Sequence, residues 1–186
     1  MLIIAITSPQ AQSGEVAYIR QLLAHGVDIL HFRKPQADIS YCKQVLTQLT
    51  PTERKKIVVH DHFCLYKEFA LRGVHVNKNI THLPDNYTGS RSRSCHSLEE
   101  IETYKNNYDY LFLSPIFNSI SKVGYNVAFT HNQLKLAADK GIIDQKVIAL
   151  GGVTLDKIPY LKSLHFGGVA MLGAINSILN PANENT

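Results

Sequence analysis

Val147-Ile148-Ala149-Leu150-Gly151-Gly152 and, one βα unit later, Gly168-Val169-Ala170-Met171-Leu172-Gly173-Ala174-Ile175 decide how this chain folds. Each contains an apolar run long enough for a strand buried on both faces, and each meets glycine where that strand should end. Glycine lets backbone come close to a ligand, and N–H groups at a following helix start favour an anion. Two such ends on successive strands are how parallel β/α barrels build a phosphate site, from the loops after strands seven and eight. The sequence therefore points to a barrel that holds a phosphorylated small molecule.

The same alternation extends outward to both ends of the chain. Strands are predicted at Leu2–Ile6, Ile29–Arg33, Lys56–His60, Gly73–Val76, Arg91–Ser94, Tyr110–Leu113, Lys146–Leu150 and Gly168–Leu172. Between them, Val16–His25 carries Val16, Ile19, Leu22 and Leu23 at helical spacing before Gly26. Ile39–Leu49 repeats the pattern with Cys42, Val45, Leu46 and Leu49 before Pro51. Ser97-Leu98-Glu99-Glu100 opens a further helix, with a good N-cap and acidic residues in its first turn. Eight rounds of strand and helix predict an α/β protein, a (β/α)8 TIM barrel formed by one domain over residues 1–186. A doubly wound open sheet is the competing architecture, and it accounts less well for the strand count and the two glycine ends.

Two connections depart from regularity. Asn79–Gly89, after strand four, is too short and polar for a full helix, so a shortened element is expected there. Ser114–Phe129, after strand six, has little periodicity and reads as a ligand loop or lid. Residues 180–186 read as a frayed polar tail.

At 186 residues the chain is small for such a barrel, and its 45% apolar and 18% charged content is that of an ordinary globular protein. The net charge of +4 is spread over dispersed basic residues, which suits an anionic small molecule better than a nucleic acid. Cys42, Cys64 and Cys95 have no CxxC spacing and read as reduced thiols. Met1–Ile6 is too short for a signal peptide, and no apolar run approaches a membrane span. A cytoplasmic protein without membrane or nucleic-acid partners is expected, and self-assembly into a homo-oligomer is left open.

Barrel active sites form at the C-terminal rim of the strands. There the sequence places His31 and Arg33 on strand two, then His60, Asp61 and His62 on strand three. His75 follows on strand four, Ser94, Cys95 and His96 on strand five, and Lys122 in the loop after strand six. A set of histidines with a carboxylate and two cations suits proton transfer or anion binding. Adjacent strand residues point to opposite faces, so Cys95 beside His96 reads as inert packing. His75 reads as a residue satisfying neighbouring backbone, and His62 as a solvated helix-start residue.

In order and spacing these motifs resemble the thiamine phosphate synthase/thiazole tautomerase family of phosphate-binding barrels, from about His31 to Ile175. The family's Gln-x-Arg-x-Lys stands here as His31-Phe32-Arg33-Lys34-Pro35, and its Asn-Asp-Arg as His60-Asp61-His62. Gly73-Val74-His75-Val76, Ser94-Cys95-His96-Ser97-Leu98-Glu99-Glu100 and Ser114-Pro115-Ile116-Phe117 with Lys122 match three further motifs, followed by the two glycine ends. The resemblance implies that Gly151, Gly152, Gly173 and Ala174 grip the phosphate of a thiazole phosphate. It also implies that Arg33, Ser94, Lys122 and Asp61 serve pyrophosphate release with Mg²⁺, and that His31, His60 and Ser94 lie on the pyrimidine diphosphate side.

The chain departs from the family where that second role is most demanding. Ile80 stands where the second metal carboxylate belongs, Pro35 replaces a lysine and His60 replaces an asparagine. One carboxylate holds Mg²⁺ weakly unless diphosphate supplies most of its ligands. The favoured expectation is therefore metal-independent tautomerisation of a thiazole carboxylate phosphate, with His96 as acid/base and no cofactor. The alternative is thiamine phosphate synthase, joining a pyrimidine diphosphate to a thiazole phosphate with Mg²⁺. Further alternatives are a metal-dependent sugar-phosphate epimerase-like enzyme, built on His60, Asp61, His62, His31 and His75, and a non-catalytic phosphate-ligand sensor.

Overall fold

Alternation of side chains along each strand builds two concentric cores. The computed structural model describes residues 1–77, 83, 85–117 and 129–179. Its strands are β1 Leu2–Ile6, β2 Ile29–Phe32, β3 Ile57–Val59, β4 Gly73–Val76, β5 Ser90–Cys95, β6 Tyr110–Leu113, β7 Val147–Leu150 and β8 Gly168–Met171. They run parallel in chain order and close on themselves, with Ile4 opposite Ile29 on one side and Ala170 on the other. That β1–β8 pairing excludes the open doubly wound sheet.

Ile4, Ile6, Ile29, Val58, Tyr110, Phe112, Ile148 and Ala170 form a cluster made only of strand residues, which is the barrel lumen. Their neighbours Ala5, Leu30, Val59, Leu111 and Ala149 belong to a larger cluster with Ile19, Leu22, Leu46 and Ile101, the layer between barrel and helices. Gly168 is a point of close approach where β8 meets β1 and β7. A Cβ there would meet Leu2 O and Ile148 Cδ1, each at 2.8 Å.

The helices are α1 Glu15–Ala24, α2 Ile39–Gln48, α3 Pro51–Arg54, α4 Cys64–Phe69, α5 Leu98–Tyr104, α6 His131–Asp139 and α7 Ile158–Ser163. Ser97 caps α5 as its sequence suggests, accepting from Glu100 N. Capping boxes at Thr50/Glu53 and Thr130/Gln133 start α3 and α6. Between β4 and β5 the described residues form no helix. Tyr87 closes the gap instead, its hydroxyl accepting from Val74 N at 2.9 Å and its ring lying against Tyr66. Among the described residues all three cysteines are free, and no helix is long and apolar enough to cross a membrane.

Candidate active site

The lumen is apolar at its lower end and polar towards the strand C-termini. His31 on β2, His75 on β4, Ser92 and Ser94 on β5 and Tyr110 on β6 all fall on the inward parity of their strands, and His60 follows β3. His31 and His75 are buried and His60 is partly buried. His31 Nδ1 lies 2.8 Å from His60 Nε2, and His31 Nε2 lies 2.7 Å from the Tyr110 hydroxyl. His75 Nδ1 and Nε2 each lie 2.9 Å from a serine oxygen, Ser92 and Ser94 respectively. The Ser92 hydroxyl donates to Val74 O, so it accepts from His75 Nδ1–H, and His75 Nε2 is then the acceptor of the Ser94 hydroxyl. His60 and His75 stack with ring centroids 4.3 Å apart.

Burial keeps this group uncharged. It lowers His75 to about 3, helped by the cations of Arg93 and Arg33. His31 and His60 are likewise held well below the ordinary imidazole value, by burial first and then by charge on their neighbours. Burial also raises the Tyr110 phenol. The result is a neutral hydrogen-bonding floor suited to an uncharged heteroaromatic ring. His75 thus bonds to side chains of the neighbouring strand β5, correcting the expectation that it satisfies nearby backbone. His62 is partly buried rather than fully solvated, with φ 52, and its Nε2 donates to Ala37 O at 3.2 Å.

Above this floor the rim carries charge. Thr7 Oγ1 accepts from the Arg33 amide at 3.0 Å and donates to its carbonyl at 3.3 Å. That anchor leaves a partly buried guanidinium whose charge reaches both His60 and His75. Asp61 Oδ2 accepts from Lys34 N at 3.0 Å. Lys34, beside the candidate Arg33, is wholly buried. Its Nζ donates to Ser8 O and Gln10 O at 2.8 Å each and lies 2.6 Å from Glu15 Oε2, which also accepts from Tyr41. Lys34 therefore ties the β1–α1 loop to the end of β2. The basic pair Arg33-Lys34 was visible in the sequence, but past the strand end its parity was not.

The two glycine ends are side by side, because β7 and β8 pair with Leu150 opposite Ala170. Gly151 has φ 91, and a Cβ there would lie 2.8 Å from Pro115 Cα. The loop after β6 docks onto it: Ile116 N donates to Leu150 O at 2.9 Å and Phe117 N to Gly151 O at 3.0 Å. Gly152 has φ 63, and its carbonyl accepts from Lys157 Nζ. At Gly173 an added Cβ would meet nothing within 4 Å, and Gly173–Ile178 coil as a 3₁₀ turn with Ala174 partly buried. His96 is exposed, and its Nδ1–H donates to Ser114 O at 2.9 Å, so it holds the same loop from the other side. Cys95 faces outward into the helix layer, and burial pushes its thiol up to about 12, as inert packing requires. Lys122 and Ile80 lie outside the described residues.

The family model described as thiamine monophosphate synthase matches residues 3–175. The chain belongs to that family. It is 36% identical to a thiamine phosphate pyrophosphorylase of Bacteroides thetaiotaomicron, covering all of this chain and 90% of that one, with a TM-score of 0.86. A thiamine-phosphate synthase of Salinibacter ruber is 23% identical over 92% of this chain and 79% of its own length. The thiamine phosphate pyrophosphorylase of Pyrococcus furiosus, 19% identical over 93% of this chain and 86% of that one with a TM-score of 0.72, shares the fold. This enzyme family of thiamine biosynthesis overturns the expectation of tautomerisation, since the similar proteins are synthases. That expectation gave too much weight to Ile80. A diphosphate brings its own oxygen ligands to a hard cation, so one missing carboxylate does not remove the chemistry.

Proposed function

We propose that the protein is a thiamine phosphate synthase, which joins a pyrimidine diphosphate to a thiazole phosphate and releases pyrophosphate. The observation that carries this reading is the neutral floor of His31, His60, His75 and Ser94 within the field of the Arg33 cation. An uncharged ring can sit on that floor while its charged tail meets the rim.

In this reading the floor orients the pyrimidine by hydrogen bonds, and Arg33 attracts the diphosphate. Gly151, Gly152, Gly173 and Ala174 hold the thiazole phosphate, where open space over Gly173 leaves room for the anion. Lys122 adds a second cation. His96 keeps the Ser114 carbonyl, and hence the docked loop, in place against Gly151. The carbon–oxygen bond to pyrophosphate breaks as the bond to thiazole forms, and negative charge accumulates on the leaving group.

Asp61 fits Mg²⁺ as one hard oxygen ligand, oriented by the Lys34 amide. Diphosphate oxygens would supply its remaining ligands. When bound, Mg²⁺ neutralises the departing pyrophosphate. We place the enzyme in the cytoplasm, acting as a single barrel domain on phosphorylated small molecules.

The test supplies purified protein with both substrates and Mg²⁺. Thiamine phosphate and pyrophosphate should form in equal amounts, and a chelator should stop both. Ligand stabilisation without turnover would instead favour the phosphate-ligand sensor.

A further inference from the structure

We propose that His31, His60 and His75 form a transition-metal site inside the barrel, suited to a borderline divalent ion such as Zn²⁺ and separate from the Asp61 oxygen site. One ring nitrogen from each residue can be chosen so that all three lie within 4.8 Å of one another. Around an ion with metal–nitrogen bonds near 2.0–2.1 Å, such nitrogens stand about 3.3 Å apart. The His31 Nδ1–His60 Nε2 pair, at 2.8 Å, must open by about half an ångström. His75 must close on them, a turn about the broad χ2 of an imidazole that also unstacks it from His60.

The outer partners are those a metal site needs. His31 Nε2 faces the Tyr110 hydroxyl and His31 Nδ1 faces His60 Nε2, while His75 Nδ1 donates to Ser92, which leaves His75 Nε2, now accepting from the Ser94 hydroxyl, as its ligand atom once that bond is given up. Such second partners fix the tautomer and ring orientation of ligating histidines. His60, only partly buried, provides the way in from the rim. Three imidazoles leave a fourth position for water or for a nitrogen or oxygen of a bound molecule. Imidazoles select zinc, cobalt or iron over magnesium, which takes oxygen ligands, so the two sites discriminate by chemistry.

The proposal does not depend on the synthase reading, and its test can fail on its own. Untagged full-length protein is stripped with a chelator and titrated with Co²⁺ and then Zn²⁺, following visible absorption and bound metal per chain. One Co²⁺ per chain with the intense bands of a tetrahedral site is expected, displaced by Zn²⁺. H60A and H75A should each weaken binding at least tenfold, and Y110F, which leaves the three ligands in place, about tenfold. H25A, at the end of α1, and H131A, at the start of α6, should leave it unchanged. Should H75A not fold, H60A and Y110F carry the test. Absence of stoichiometric binding, or binding that survives both H60A and Y110F, overturns the site. Synthase turnover of the stripped protein with Mg²⁺ alone is read in parallel and bears only on the proposed function.

Discussion

Asp61 and Lys34 meet at one hydrogen bond, yet they answer to different physics. Asp61 offers an oxygen to a ligand, and Asp61→Asn keeps an acceptor for the Lys34 amide while removing the charge. Its expected outcome is a fall in kcat/KM of about 10²-fold, with a higher Mg²⁺ requirement and an unchanged unfolding midpoint. Unchanged activity would remove Asp61 from the site. Lys34 is structural, because both partners of its ion pair are buried, at 0% and 2% side-chain exposure. Lys34→Met leaves Glu15 as a buried charge without its cation, and Glu15 Oε1 already has no partner among the described residues. The single variant should lose about 3–5 kcal/mol in denaturant unfolding, and the double variant with Glu15→Leu should recover much of it. An additive double loss would show that the pair is not coupled. In the sequence, His31, Arg33, His60 and Asp61 stood out by residue type and position at strand ends. Lys34 and Tyr110 did not, because a lysine beyond a strand and a tyrosine within one carry no sign of burial or partner until the barrel closes.

At the scale of elements, the end of β7 shows why glycine was the right signal and where that signal stopped. Gly151 sits at φ 91 under Pro115, so the docked loop 114–117 and the strand end share one tight contact. Gly151→Ala should cost about 1–3 kcal/mol of stability, with a larger loss of activity than of fold, since the loop must lift to admit a Cβ. Thermal unfolding alongside turnover separates the two effects, and full activity would show that the loop is not held at that point. The strands are legible in the sequence to within a residue at most ends, because a parallel strand buried on both faces reads as an apolar run. β5, Ser90–Cys95, is predicted as Arg91–Ser94 yet is not an apolar run. Its alternating serines and arginines look like a surface strand, yet Ser92 and Ser94 point inward because the lumen there is polar and supplies His75 as partner. The same polar lumen explains why His75 read as a bystander: its partners come from the next strand, seventeen and nineteen residues away.

Across the whole molecule, closing the barrel is what confines three imidazoles to one lumen, and this gives the stability of the fold a pH dependence of definite sign. In the unfolded chain His31, His60 and His75 titrate near the ordinary value of about 6.5. In the folded chain burial depresses all three, His75 to about 3. Below about pH 6.5 the unfolded state therefore binds protons that the folded state refuses, so stability present above that pH is lost as pH falls towards the folded values. Each such group contributes a slope of up to about 1.4 kcal/mol per pH unit in that window. Chelator-treated protein should accordingly show an unfolding midpoint that is nearly level from pH 8 to 7 and drops steeply from pH 6.5 to 5. His60→Asn, which keeps a polar side chain at the mouth of the lumen, should make that drop shallower by removing one of the three groups. Added Zn²⁺ should raise the midpoint near neutral pH and steepen the acid loss, because protons must then displace the ion as well. A midpoint that stays level down to pH 5 without metal would mean that the imidazoles are hydrated rather than held neutral in the lumen. The neutral floor within the field of Arg33 would then have to be abandoned.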